Sequence, residues 1–158
     1  MRSDRAAARY APGPTTTNVN GPAHAGGDMG YHLVDPAALE QWDDRPTDVR
    51  SLSVAAGYDY QGSNLGLRVY ELSPGEQSGL GYHYHDEQVE VFYVLEGTLH
   101  VETPEEEYVV EADQALFVDP GSPQRAFNPE DGDSVTRVLA IGAPSVDDAN
   151  VYEPSDDA

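Results

Sequence analysis

Apolar and polar side chains alternate with a period of two along several short stretches between residues 64 and 142. Successive side chains of a β-strand point to opposite faces, so this period is typical of strands. Turn-forming residues separate the stretches about every 8 to 12 residues, which is typical of an all-β sandwich or barrel. The predicted strands span residues 64–72, 83–85, 89–96, 98–103, 108–110, 115–118, 124–128 and 134–141. Because no long stretch has the 3.6-residue period of a helix, the sequence predicts a single all-β domain.

The predicted folded domain comprises residues 29–142, and the strands of its core lie within residues 64–142. Residues 1–28 are rich in Ala, Pro, Gly, Thr and Asn and have no apolar periodicity, so we expect them to be disordered. Residues 143–158 are predicted to form an acidic tail with little reason to fold by itself.

Three elements are predicted before the strand-rich core. Residues 31–34 resemble a short strand, and residues 49–54 a second one. Between them, residues 37–42 are expected to form a turn or short helix with Asp35 as its N-cap. Trp42 is expected to pack against one end of the barrel.

The strand at residues 64–72 has apolar side chains on both faces. Leu65, Leu67 and Val69 share one face, and Arg68 lies on the other. The three aliphatic side chains predict that their face contacts the core, with Arg68 outside. If Arg68 faced inward instead, it could bind an anionic substrate.

The strand at residues 89–96 is also apolar on both faces. Val89, Val91, Tyr93 and Leu95 alternate with Glu90, Phe92 and Val94. A strand with one face in water should carry polar residues on that face. We therefore expect a cover for the outer face, and a homodimer is preferred over the N-terminal segment.

The charge of the chain is strongly unbalanced. It has 29 Asp and Glu against eight basic residues, all of them Arg, and its net charge is −21. Neighbouring carboxylates repel one another at low salt, and salt at about 1 M screens this repulsion beyond about 3 Å. An acidic, lysine-free chain is therefore expected to come from a salt-accumulating, halophilic organism. The charge also argues against nucleic acids and anionic membranes as partners.

The chain contains no cysteine, which excludes disulfides, thiol nucleophiles and Cys-ligated metal sites. No apolar run approaches the length of a membrane span, and no signal-peptide pattern follows the N-terminal arginines. The expected location is the cytoplasm.

A possible metal site lies between residues 83 and 97. His83 and His85 are two residues apart, so their imidazoles point to the same face of a strand. The polar residues 86–88 predict a turn that brings Glu90 back beside them. Two imidazoles and a carboxylate on one wall form a set of ligands for a divalent transition metal. The simpler alternative to a metal site is that both histidines are exposed and Glu90 is a surface acid. However, Glu90 shares its face with apolar neighbours and is expected to point inward. A buried carboxylate needs a partner, which a metal ion would provide.

This motif resembles the first motif of the cupin superfamily: His83, one residue, His85, four residues, Glu90, six residues, Gly97. The resemblance implies a jelly-roll β-barrel in which these two histidines and the glutamate are metal ligands. It covers residues 64–142. Residues 121–128 resemble the second cupin motif, which appears here as Gly121-Ser122-Pro123-Gln124 followed by Asn128.

Gln124 occupies the position where the family has its third metal-binding histidine. It could be a weak fourth ligand, it could hold a bound water or substrate, or the site could have lost its metal. The ligand set matches the facial arrangement of non-haem iron enzymes, and the same three ligands can hold Mn, Ni or Zn. Among other candidates, His100 and Glu87 are expected at the surface, and Arg125 is expected in an ion pair.

Two functions from different classes remain open. The first is a metal-dependent enzyme that acts on a small organic substrate, either dioxygenase-like or isomerase-like, with Glu90 as a ligand and as a candidate catalytic proton acceptor. The second is a non-catalytic module that binds a metal or small ligand for storage or sensing. A cupin-like fold is compatible with both.

Overall fold

Ten β-strands form most of the regular structure of residues 30–45 and 47–155, which are the residues that the computed structural model describes. The strands are β1 (Asp48–Ser51), β2 (Gly66–Leu72), β3 (His83–His85), β4 (Val89–Glu96), β5 (Thr98–Glu102), β6 (Glu107–Glu111), β7 (Ala115–Val118), β8 (Arg125–Phe127), β9 (Thr136–Ala143) and β10 (Ala149–Val151). The prediction of an all-β domain is confirmed.

The strands form two facing layers, and every strand pair is antiparallel. One layer is a five-stranded sheet in the order β1-β2-β9-β4-β7. The other contains the three-stranded sheet β6-β5-β8 and the pair β10-β3. A β-bridge between His83 and Gln124 links β3 to the edge of β8. This link brings the two sequence motifs together.

The hydrophobic core lies between the layers and follows the alternation of side chains along the strands. On β4, Phe92 and Val94 are 2% and 0% exposed, and Glu90 points to the same side, as predicted. The buried apolar cluster consists of Val49, Tyr70, Leu72, Phe92, Val94, Leu99, Val101, Val110, Ala126, Val138 and Ala140. Trp42 is partly buried and packs against this cluster, as expected.

The predicted orientation of β2 is wrong. Tyr70 and Leu72 belong to the core, and Arg68 shares their inward face, whereas Leu65 is 37% exposed. Pairing explains the difference, because Arg68 lies opposite Ala140, a core residue of β9. Both faces of β2 are apolar, so its own sequence does not distinguish inside from outside.

The elements before β2 are shorter than predicted. Residues 31–34 form no strand, and Leu33 is 91% exposed. The expected helix is a single 3-10 turn, Pro36–Ala38, although Asp35 does cap it by accepting a hydrogen bond from the Ala37 N–H at 2.9 Å. Strand β1 ends at Ser51 because the Ser51 hydroxyl caps a short helix, α1 (Leu52–Ala55).

The acidic segment after β9 is not a structureless tail over its whole length. Residues 149–151 form β10, which pairs with β3, the strand that carries the two histidines. The acidic tail predicted at residues 143–158 therefore contains one strand, and this strand depends on β3 for its backbone partners. The predicted disorder of residues 1–28 concerns residues outside those described.

Candidate metal centre

Three potential metal ligands lie close together on β3 and at the start of β4. His83 and His85 point from β3 to one side, and Glu90 points inward from β4. One ligand atom from each lies within 4.8 Å of the other two. His83 is 6% exposed and Glu90 is 9% exposed, so the cluster is largely shielded from water.

The distances within the cluster suit a shared ion. Glu90 Oε1 lies 3.5 Å from His85 Nε2 and 4.0 Å from His83 Nε2. The two imidazole rings meet edge to face, with centroids 4.9 Å apart. Ligand atoms about 2.0–2.2 Å from one ion stand roughly 3–3.5 Å apart. A small inward shift of the side chains would therefore complete such a site.

Hydrogen bonds determine which ring nitrogen of each histidine faces the cluster. Nδ1 of His83 lies 2.7 Å from the carbonyl oxygen of Gly81. Nδ1 of His85 lies 2.7 Å from Oδ1 of Asp148. A carbonyl or carboxylate oxygen only accepts, so both Nδ1 atoms carry a proton and donate it. In each neutral imidazole, Nε2 then presents a lone pair to the cluster, which is the form that binds a metal.

Asp148 is a site residue that the sequence did not reveal. Its Oδ2 accepts hydrogen bonds from the backbone N–H groups of Glu87 and Gln88, at 2.6 and 2.9 Å. One carboxylate therefore holds both His85 and the turn between β3 and β4. Asp148 follows His85 by 63 positions and stands in an acidic segment without a motif, so no local signal indicates its role.

The charges around His85 shift two pKa values. Burial by itself lowers the pKa of His85. In its protonated form, however, the ring donates to both Glu90 and Asp148, and these hydrogen bonds outweigh burial and raise the pKa above its ordinary value. Burial also opposes ionisation of Asp148. The hydrogen bonds from His85 and from the two backbone N–H groups outweigh this, and the pKa of Asp148 is lowered. The site thus favours a positive charge beside Glu90 and Asp148, which a metal ion can supply.

The structure places Gln124 at this cluster, as predicted. Its side chain is 1% exposed, and its Nε2 donates a hydrogen bond to Glu90 Oε1 at 2.9 Å and lies 3.5 Å from His83 Nε2. Within the described part of the chain, Gln124 Oε1 is buried without a hydrogen-bond partner. In this orientation the amide nitrogen faces the ligands. Rotation of the amide by a half-turn would direct the unpaired oxygen there instead.

The other candidates lie outside the cluster. Glu87 is exposed on the turn, as expected. His100 contacts Glu107, with Nδ1 2.7 Å from Oε2, and is no part of the site. Arg125 forms the expected ion pair, at 2.9 Å from Glu102.

The fold and the motif agree with a known family. The family model of the cupin domain matches residues 68–142, which span β2 to β9. The chain is a member of the cupin superfamily. A cluster such as His83, His85 and Glu90 is typical of cupin metal sites. The jelly-roll barrel predicted from the resemblance is confirmed as the double-stranded β-helix of cupins.

Solved structures of other proteins resemble this cupin. An uncharacterised conserved protein with a double-stranded β-helix domain from Klebsiella pneumoniae is 15% identical (TM-score 0.55; 68% of this chain and 84% of that chain covered). The polyketide cyclase RemF from Streptomyces resistomycificus is 23% identical (TM-score 0.54; 70% and 74% covered). A sugar phosphate isomerase of the cupin superfamily from Silicibacter pomeroyi is 26% identical (TM-score 0.50; 61% and 59% covered).

A comparison with curated protein sequences gives no match. Over the described residues, no helix has the length and apolar character that a membrane crossing requires.

Proposed function

We propose that this cupin binds one divalent transition-metal ion per chain through His83, His85 and Glu90. The observation that carries the proposal is the orientation of the two imidazoles. Both Nδ1 atoms are held by acceptors, so both Nε2 lone pairs point toward the Glu90 carboxylate. Two imidazoles and one carboxylate suit Fe, Mn, Ni or Zn.

We further propose that the protein is a metal-dependent enzyme, which acts on a small organic substrate by a dioxygenase-like or isomerase-like reaction. The bound ion would supply Lewis-acid chemistry, and a three-ligand site leaves positions open for a substrate. Gln124 orients the Glu90 carboxylate by donating to it, and burial keeps water away from both. Glu90 is also the candidate proton acceptor. The likeness to a sugar phosphate isomerase at 26% identity supports the isomerase-like alternative.

A binding or sensing module is the second candidate function, and Gln124 favours it. A neutral amide replaces the imidazole that the family places there, and its nitrogen, which cannot ligate a metal, faces the cluster. Such a site would hold a metal or a small ligand more weakly and without turnover.

We also propose that the protein acts as a homodimer. The occupant of the outer face of the five-stranded sheet would be a second copy, because a row of apolar side chains crosses that face. One row across it consists of Leu67, Ile141, Val91 and Phe117, on β2, β9, β4 and β7. Phe117 is 68% exposed in the single chain.

Metal analysis and competitive titration in molar salt test the proposed metal site. The wild type should bind about one ion per chain, and His83→Ala much less. His100→Ala is the matched control and should bind like the wild type, because His100 lies outside the cluster. Gln124→His should bind more tightly, since imidazole is a better donor than an amide for these metals.

The outcomes separate the candidates. If the wild type binds no more than His83→Ala whereas Gln124→His binds well, the site has lost its metal and the binding module is favoured. If Gln124→His binds more weakly than the wild type, Gln124 is a positioned ligand. Substrate-dependent O₂ uptake or isomer formation by the loaded protein then distinguishes an enzyme from a binding module.

A further inference from the structure

Arg68 lies inside the barrel, beside the wall that carries the candidate metal centre. Its side chain is half-buried on the inward face of β2, in a cross-strand row with Ala140 and Phe92. The next inward row consists of Gly66, Gly142 and Glu90. Strand spacings of about 4.8 Å and a rise of about 3.4 Å per residue place the backbones of Arg68 and Glu90 roughly 12 Å apart.

The guanidinium of Arg68 reaches toward the row of Glu90. Its Nη2 lies 3.7 Å from the point where a Cβ on Gly66 would stand. The Ser145 hydroxyl lies 2.9 Å from that same point, and the Gln88 amide lies 2.7 Å from the equivalent point at Gly142. The two glycines thus admit a hydroxyl and an amide, which make the wall between Arg68 and Glu90 polar.

Within residues 30–45 and 47–155, Arg68 lacks the carboxylate partner that the other arginines have. Each of the other arginines in residues 30–45 and 47–155 lies close to a carboxylate: Arg45 at 3.7 Å, Arg50 at 2.9 Å, Arg125 at 2.9 Å and Arg137 at 3.4 Å. Among the same residues, Arg68 forms no ion pair, and its buried Nε has no hydrogen-bond partner. A half-buried cation without a counter-ion is a binding position for an anion.

Aromatic rings flank the guanidinium of Arg68. Its Cζ lies 5.6 Å from the ring centroid of Trp42 and 5.2 Å from that of Tyr60. A cation–π contact does not neutralise the charge of a guanidinium, so neither ring replaces a carboxylate partner. The phenol of Tyr70 lies on the same inward face of β2 as Arg68 and is buried. Burial raises the pKa of Tyr70, Arg68 lowers it, and the Glu90 carboxylate raises it.

We propose that Arg68 binds the carboxylate of a small ligand whose other polar group lies at His83, His85 and Glu90. The inference rests on the proposed function, because it assigns the substrate class of the same site. A single guanidinium matches a single carboxylate charge. A carboxylate also brings only one negative charge into a chain whose net charge is −21, whereas a phosphate dianion brings two. The proposed substrate is therefore a small carboxylic acid with a second oxygen group.

Binding of pyruvate tests this proposal, because pyruvate joins one carboxylate to a carbonyl oxygen. Calorimetry at constant salt would compare pyruvate, its neutral amide and inorganic phosphate in wild type and Arg68→Gln. We expect pyruvate to bind the wild type better than the other two probes. Arg68→Gln should weaken pyruvate binding roughly 10–100-fold, as for the loss of a hydrogen bond to a charged group. Arg137→Gln is the control and should leave binding unchanged, because Arg137 pairs with Glu71 on the outer face.

Three outcomes overturn the proposal. If Arg68→Gln lowers the melting temperature but binds pyruvate like the wild type, Arg68 only joins Trp42 and Tyr60 to the barrel. If phosphate binds more tightly than pyruvate, or if pyruvate does not bind the wild type, the assigned substrate class is wrong.

A second readout avoids any dependence on variants or on the metal. In metal-free wild type, the Nε–H resonance of Arg68, identified by its contacts with the Trp42 ring, should shift as pyruvate is added. If this resonance shifts in a protein that fails metal analysis, the metal site is refuted and the anion site stands. If the protein binds metal but the resonance does not move, the anion site is refuted alone.

Discussion

At the scale of single residues, Asp148 controls the donor atom that His85 offers. The carboxylate accepts from Nδ1 at 2.7 Å and is itself held by two backbone N–H groups. The imidazole therefore keeps its Nδ1 proton and directs the Nε2 lone pair toward Glu90. A carboxylate in this position also raises the basicity of a metal-binding imidazole. Asp148 is a positioning residue, because it acts on the site through His85.

We predict that Asp148→Asn weakens divalent-metal affinity by roughly 10–100-fold, the usual cost of losing such a partner. The amide carries no charge and can present its N–H₂ group to Nδ1, which would reverse the tautomer. Competitive metal titration gives the affinity, and ¹⁵N NMR of His85 gives the tautomer. Asp147→Asn, which changes the exposed neighbour, is the control. Equal affinity in both variants and the wild type would show that Asp148 only supports the turn.

The residues of the site differ in how far the sequence reveals them. His83, His85 and Glu90 are close in sequence, so the period of a strand and one short turn suffice to bring them together. Arg68 and Asp148 could not be placed in this way. The inward position of Arg68 depends on the pairing of β2 with β9, and Asp148 depends on the pairing of β10 with β3. Both are long-range pairings that leave no local pattern.

At the scale of elements, the turn at Gly97 joins the two layers. Gly97 connects β4 of the five-stranded sheet to β5 of the opposite layer, with φ at 79°. A Cβ at this position would lie 2.6 Å from the carbonyl oxygen of Val135, which precedes β9. Both the backbone conformation and the close approach of β9 therefore require glycine.

We predict that Gly97→Ala lowers the free energy of unfolding by about 1–3 kcal/mol more than Gly62→Ala does. Gly62 has a similar φ of 94°, but a Cβ there meets nothing within 4 Å. Gly62→Ala is therefore the control and includes only the conformational cost, about 1–2 kcal/mol. The further loss in Gly97→Ala measures the steric overlap of the added Cβ with Val135. Chemical denaturation of the two variants measures it. Equal losses would mean that the turn shifts away from β9 at little cost.

Elements defined by alternation were predicted well, and those before β2 were not. Strand β7 has the predicted bounds, because turns flank it on both sides. Residues 31–34 have strand-like composition but no partner strand among the described residues, and composition without pairing does not make a strand. The opposite holds for residues 149–151. They are polar and short, yet they form β10 because the edge of β3 offers backbone partners.

At the scale of the whole molecule, the outer face of the five-stranded sheet should set the oligomeric state. If a second copy covers this face, Phe117→Asp should convert the dimer to a monomer, since it places a charge in an apolar interface. Light scattering after gel filtration measures the mass. Val109→Asp is the control, because Val109 is 53% exposed on β6 of the opposite layer. A monomeric wild type, or a dimer that both variants retain, would contradict this interface.

The net charge of −21 should make folding depend on salt. The folded state concentrates carboxylates that the unfolded chain spreads apart, so their repulsion acts mainly against the folded state. The screening length falls from about 10 Å at 0.1 M salt to about 3 Å at 1 M, so most of the stabilisation should appear within that range. We expect the melting temperature to rise with potassium chloride up to about 1 M and then to level off.

A variant in which Glu105, Asp131 and Asp133 become amides is the control. These side chains are exposed, so the variant should melt higher than the wild type at low salt and should gain less from added salt. A melting temperature that falls with salt, or a variant with the same salt dependence as the wild type, would show that carboxylate repulsion does not limit stability.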